Sequence, residues 1–265
     1  MTAKLRIVQS KRPTKPVVLE IEGLSKRFRV NSAADIGVLE AIDIQVRRGE
    51  MICILGRSGC GKSTLLKILA GFIPPSSGRV RLNGRPVQRP GPDRCVVFQE
   101  DALFPWLTVR ENIAFGLRDR KMGSRERRRE VDRFLSYVGL RDFENYLPKE
   151  ISGGMKQRVS LARVLILKPE VLLMDEPFAA LDAQTREEMQ NLLLSLWETL
   201  HHTVIFVTHD VSEAVLLADR IILMEKAPGR IREDIPINLP RPRKKNSEPF
   251  FNLSRSMTAK IRQSR

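Results

Sequence analysis

Residues 56–64 read GRSGCGKST and match G-x-x-x-x-G-K-[ST], the spacing at which a glycine-rich loop wraps phosphate oxygens. Gly56, Gly59 and Gly61 let successive backbone N–H groups face inward, with Arg57, Ser58 and Cys60 between them. Lys62 supplies a point charge for the β- and γ-phosphates of a nucleoside triphosphate. Ser63 offers a hydroxyl to Mg²⁺, Thr64 follows it in the opening helical turn, and the helix N-terminus adds a partial positive charge. The chemistry implied is phosphoryl transfer with ATP and Mg²⁺.

That chemistry also needs carboxylates, and VLLMDE at 171–176 provides two. An apolar run carries Asp175 to the end of a strand, where a carboxylate can hold Mg²⁺. Glu176, one residue on, can orient and polarise an attacking water. His209 closes the next apolar run, TVIFVTH, and is expected at the same edge, near the γ-phosphate. Gln99 follows CVVF at another strand end, where it can reach Mg²⁺ and report its presence to the residues beyond. A second anion-binding end lies elsewhere: ISGGMKQR at 151–158 opens a helix with a serine and two glycines. Since the phosphate loop already cradles a nucleotide, this second end calls for a different ligand or a different copy of one.

These residues require strands that end together and helices that start at the same edge. VVLEIEGL (17–24) and VLEAIDIQV (38–46) read as an N-terminal β part, and MICILG (51–56) as a buried strand leading into a helix from Lys62. VLLMD, TVIFVTH and RIILM are further buried strands, separated by helices from Asp182 to about Leu200 and from Asp210 onward. Apolar strands alternating with helices imply an α/β fold with a mostly parallel sheet. The stretch from about 100 to 168 differs: TVRENIAFGL begins with a capping box, Thr108 with Glu111, and SRERRREVDRFLSYVGL sets Val131, Phe134, Leu135 and Val138 on one face. It reads as an inserted helical subdomain.

With 265 residues and 42% apolar content the chain can build a large core, and no run reaches the length needed to span a bilayer. Three cysteines without metal-ligand spacing read as reduced thiols of a cytosolic protein, Cys60 as a small filler of its loop. The net charge of +15 concentrates at the ends. Residues 1–16 carry five basic and no acidic side chains, and residues 241–265 eight against one, so the two hold +12 of it. The expected organisation is a basic tail at 1–16, an ATPase domain at 17–240 and a basic tail at 241–265. The tails are either solvated ends or rests for anionic lipid, and the nearly balanced body argues against nucleic acid as partner.

Taken in order, Phe28, GRSGCGKST, Gln99, ISGGMKQR, LLMDEP, ALD (180–182) and VTHD (207–210) resemble the nucleotide-binding domain of ABC transporters over about residues 17–235. The resemblance implies a P-loop NTPase fold and a homodimer packed head to tail. Each ATP would then lie between the phosphate loop of one copy and Ser152, Gly153 and Gly154 of the other. Phe28 would stack on adenine, and Asp182 would belong to the nucleotide interface. Two positions depart from the family pattern LSGGQ: Ile151 and Met155, of which the methionine cannot donate a glutamine's hydrogen bonds. LFPWLTVRENIAFGL (103–117), APGRI (227–231) and LPRPR (239–243) are similar to ATPase subunits of nitrate, sulfonate and taurine importers. That branch implies two transmembrane permease subunits, an external solute-binding protein acting indirectly, and a peripheral place on the cytoplasmic face of the inner membrane. Trp106 would line the permease groove or pack in the core. A soluble ABC-type ATPase acting on nucleic acid or ribosomes is the alternative.

Overall fold

The computed structural model describes residues 15–30, 34–98, 102–226 and 228–262, so Gln99 and residues 1–14 lie outside the described residues. In chain order the elements are β1 (Val17–Val30), β2 (Ala34–Arg47), β3 (Met51–Gly56), α1 (Lys62–Ala70), β4 (Ser77–Leu82), β5 (Arg85–Pro86), β6 (Arg94–Val97), α2 (Val109–Phe115), α3 (Ser124–Tyr137), α4 (Gly153–Leu165), β7 (Val171–Asp175), α5 (Ala183–Leu200), β8 (Thr203–Thr208), α6 (Val211–Leu217), β9 (Arg220–Glu225), β10 (Arg230–Pro236) and α7 (Glu248–Arg262).

Two sheets divide the strands. The first is antiparallel, in the order β2-β1-β4-β5. The second has the order β10-β9-β3-β8-β7-β6, and all its pairings are parallel except β10 with β9. Its strands read as continuous apolar runs because both faces are covered. The two faces feed different cores. Met51, Cys53 and Leu55 of β3 point to the side that holds Phe134, Phe178, Phe206 and the helices from α2 to α6. Ile52 and Ile54, one residue out of phase, point to the side of α1 and the antiparallel sheet. Gly229 stitches the sheets together: its N–H donates to Val38 O (2.8 Å) and its carbonyl accepts from Glu40 N (2.9 Å).

The helical block begins as its sequence implies. Thr108 Oγ1 accepts from Glu111 N (3.2 Å), and Glu111 Oε2 accepts from Thr108 N (2.8 Å), closing the capping box of α2. Val131, Phe134, Leu135 and Val138 are buried. Arg110 of α2 bridges Asp132 of α3 and Glu144 beyond it, tying the block together.

The C-terminal segment departs from the charge-based expectation of a tail. The high basic count hid an amphipathic helix: Phe250 and Met257 are buried in the main core, with Leu253 and Ile261 packed against it. Basic residues before α7 are engaged internally. Arg243, 8% exposed, donates to the carbonyls of Val215 (2.6 Å), Leu216 (3.3 Å) and Ala218 (2.7 Å), which capture the C-terminal end of α6. Burial pushes its guanidinium down to about 10. Arg241 pairs with Asp219 and lies 4.4 Å from the Trp197 ring centroid.

Candidate active site

The parallel register decides which side chains meet. Leu55 sits beside Thr208 and Asp175 beside Val207, so β3, β7 and β8 all end at one edge. Past that edge come the phosphate loop, Glu176 and His209.

The loop is shaped by its own packing as well as by any ligand. Gly61 takes φ 95°, a left-handed conformation that a side chain disfavours, and a Cβ there would lie 2.6 Å from Leu39 Cδ2. A Cβ on Gly56 would meet Cys60 Sγ at 2.7 Å. Cys60 is 1% exposed, and burial pushes its thiol up, so it fills the loop's interior and is a poor nucleophile. Arg57, Ser58 and Ser63 are exposed, and Thr64 is half-buried.

Lys62 is 5% exposed. Its Nζ donates to the carbonyls of Gly56 (2.9 Å) and Arg57 (3.2 Å) and stands 3.7 Å from Glu176 Oε1. Ser63 Oγ donates to Asp175 Oδ1 at 3.0 Å, which brings two hard oxygen ligands side by side. Burial raises the Asp175 carboxyl above its usual range, and the Ser63 bond works against that. Glu176 adopts φ 45°, a left-handed conformation that is costly for a residue with a side chain and that clusters at functional sites. Its N–H donates to Val207 O (3.0 Å), which holds the turn against β8. The other carboxylate oxygen, Oε2, lies 2.8 Å from His209 Nδ1. One carboxylate therefore touches both the loop lysine and the histidine. Gln99 falls outside the described residues.

This arrangement gives a triphosphate a cradle of N–H groups, a lysine, and a carboxylate–histidine pair at the loop's mouth. The family model for ABC transporters matches residues 39–179. The chain belongs to the ABC transporter family. This ABC ATPase is 53% identical over 206 residues to a putative ATP-binding protein of Brucella abortus, covering 77% of this chain and 79% of that protein. It is 48% identical over 212 residues to the nitrate import ATP-binding protein of Synechococcus elongatus, covering 79% and 77%. A dimeric ATP-binding cassette solved in a post-hydrolysis state with ADP and phosphate superposes with TM-score 0.71 at 30% identity, covering 83% of this chain and 99% of that one. The chain therefore binds and hydrolyses ATP.

The second glycine pair of this ABC ATPase splits into two jobs. Ser152 is the N-cap of α4, its Oγ accepting from Met155 N at 3.3 Å, so Met155 contributes its backbone there whatever its side chain is. Gly153 faces open space: nothing lies within 4 Å of where its Cβ would be. Gly154 is packed instead, since a Cβ there would sit 2.5 Å from Thr185 Cγ2. An Arg158–Glu188 ion pair of 2.9 Å braces the same α4–α5 contact. Alanine normally favours a helix over glycine, yet Gly154→Ala is expected to destabilise the fold by about 1–3 kcal/mol through overpacking. Thr185→Ser, which removes the offending methyl, should restore most of the loss in thermal unfolding of the double variant.

Asp182 caps α5, with Oδ1 accepting from Thr185 N (3.0 Å) and Oδ2 from Thr185 Oγ1 (2.6 Å). Phe28 is 38% exposed, and the Lys26 ammonium lies 4.9 Å from its ring centroid. Trp106 is 72% exposed and so not part of the core; its ring stands 5.7 Å from Phe104, which contacts Phe115 at 4.3 Å. Sequence reading missed Thr185, Gln190 and Glu213. The last had a visible signal, because Asp210 with Glu213 repeats the spacing of a helix cap, and Asp210 Oδ1 does accept from Ser212 N (2.7 Å) and Glu213 N (3.2 Å).

Proposed function

We propose that this ABC ATPase powers import of a small anion or sulfonate-like solute. Two copies would pair head to tail beneath two membrane permease subunits, with an external solute-binding protein supplying the cargo. One observation carries the pairing. The tip of α4 presents an exposed Ser152 and an unobstructed Gly153, while the neighbouring glycine is consumed by packing. An open, positively polarised helix end suits an anion that its own phosphate loop already holds from the other side. Ser152 would hydrogen-bond the γ-phosphate of the partner's ATP, and Phe28 would stack on adenine through the ring face that Lys26 leaves open. Asp182, just before α5, would lie at the interface.

Glu176 orients the attacking water and His209 contacts the γ-phosphate, the pair being preset by their 2.8 Å contact. Lys62 turns from its loop carbonyls to the β- and γ-phosphates. The donors fit Mg²⁺, which takes only one or two protein oxygens beside phosphate and water, here Ser63 and Asp175. When bound, the ion neutralises phosphate charge.

The exposed aromatic group around Trp106 supports a permease contact. Among the described residues no helix is long and apolar enough to cross a membrane; the subunit would sit against the permeases on the cytoplasmic face. The internal engagement of Arg241 and Arg243 leaves fewer basic groups for nucleic acid. The nitrate import relative points to a small inorganic anion among the candidate solutes.

Complementation tests the shared site. Gly153→Asp should fold normally, because its surroundings are open, and should lower turnover by about tenfold or more by placing a negative charge at the helix tip. Mixed with a Lys62→Ala copy, it would form dimers with one intact site, and turnover should recover. Mixtures no more active than the separate variants would refute the head-to-tail arrangement.

A further inference from the structure

Behind His209 lies a chain of polar side chains that the hydrolysis chemistry does not use. Thr208, Glu213 and Gln190 are 2%, 6% and 2% exposed. Thr208 Oγ1 donates to Glu213 Oε2 at 2.7 Å and itself accepts from Asp210 N at 3.0 Å. Gln190 Nε2, on α5, donates to Glu213 Oε1 at 3.1 Å. Lys245, in the segment that Arg243 anchors, donates from Nζ to Gln190 Oε1 at 2.9 Å. The chain thus runs from the C-terminal segment through α5 and α6 to the residue that precedes His209.

A buried carboxylate held mainly by neutral donors is a costly way to fill space, and apolar groups of the same shape usually do as well. Its geometry suggests what it supplies. The Thr208 hydroxyl bonds across His209 to Asp210 N, closing a small turn about the histidine's own backbone. Glu213 fixes the rotamer of that hydroxyl. His209 has a side chain 60% exposed, and its ring rests on Glu176 alone among the contacts described. Where the ring stands therefore depends on how firmly its backbone is held.

We infer that Glu213 is a positioning residue for His209, and that the Lys245–Gln190–Glu213–Thr208 chain makes ATP turnover sensitive to how the C-terminal segment is docked. The inference rests on the reading of His209 as a γ-phosphate contact. α5 also receives Gly154 at Thr185 and is capped by Asp182, so one helix touches the glycine-bearing tip and the histidine's support.

The full-length chain tests this by radiolabelled phosphate release, which reads slow variants, and by ¹⁵N NMR of the imidazoles. The chain has three histidines, so His209→Ala assigns the relevant signals by difference. Glu213→Ala and the milder, near-isosteric Thr208→Val should shift or broaden the His209 resonances. They should lower kcat by about ten- to a hundredfold with KM for ATP nearly unchanged. Glu213→Gln, which keeps an acceptor for Thr208 but turns an amide N–H₂ toward the Gln190 Nε2 donor, should fall between wild type and Glu213→Ala in both readouts. Lys245→Ala should move both readouts in the same direction by a smaller amount. Unmoved His209 resonances in Thr208→Val and Glu213→Ala would overturn the inference, as would an undiminished loss of kcat when Glu213→Ala is added to His209→Ala. Full turnover in His209→Ala, with the resonances still shifting in the other variants, would instead sink the γ-phosphate role and leave the positioning intact.

Discussion

Glu176→Gln is expected to reduce ATP hydrolysis by about 10²- to 10⁴-fold while nucleotide still binds. The amide keeps the shape of the side chain but cannot polarise a water or accept its proton. It also weakens two contacts that the carboxylate makes at once, the 3.7 Å approach of Lys62 and the 2.8 Å approach of His209 Nδ1. With cleavage blocked and ATP retained, two copies should accumulate as a closed pair, measurable as an ATP-dependent shift in size-exclusion chromatography or light scattering. A variant that hydrolyses ATP normally would remove Glu176 from the chemistry. One that is inactive, binds ATP and remains monomeric would leave the chemistry standing and refute the sandwich.

Lys62→Ala should lower turnover by about 10²- to 10³-fold, the scale seen when one preorganised charge partner of a transition state is lost. Here, in contrast to Glu176→Gln, binding should suffer too, because the ammonium faces the phosphates in ground state and transition state alike. The structure adds a second consequence. The lysine is buried and donates to Gly56 O and Arg57 O, so its loss leaves those carbonyls short of a donor. The ligand-free protein should therefore be less stable by about 1–3 kcal/mol. Thermal unfolding with and without ATP separates the two effects: a lower midpoint in both conditions, and a smaller ATP-induced rise than wild type shows. Undiminished hydrolysis against wild type would contradict the role assigned to Lys62.

Much of this site was legible because its signals are local. A glycine-rich loop between a buried strand and a helix specifies its own conformation, and the apolar runs ending in Asp175 and His209 announce the edge at which they stop. Thr108 and Glu111 fixed the start of α2 within four residues of sequence, and the structure shows both halves of that box. What stayed hidden depends on distant partners. β10, RIREDIP, breaks the alternation of a strand with three charged residues in a row between Ile231 and Ile235, where its register against β9 shifts, so without knowledge of β9 nothing marks it as paired. α7 was obscured by counting charge over 241–265 rather than by following the spacing of Phe250, Leu253, Met257 and Ile261. The sequence around Gly154 points only to a ligand's approach, and the packing of Thr185, 31 positions later, is a further reason for a glycine there that no local window contains. The buried group beneath His209 joins three elements and a terminal segment, a relation that no single window of sequence contains.

The stitch at Gly229 bears on the affinity for nucleotide. A Cβ on that residue would fall 2.0 Å from Cys60 O, so its bare backbone presses directly on the phosphate loop. Glu40 and Val38 hold Gly229 from the opposite sheet, and Leu39 closes on Gly61. Wedged between two sheets, the loop has its shape set by the fold itself. An arriving triphosphate then need not spend part of its affinity on ordering a floppy receptor.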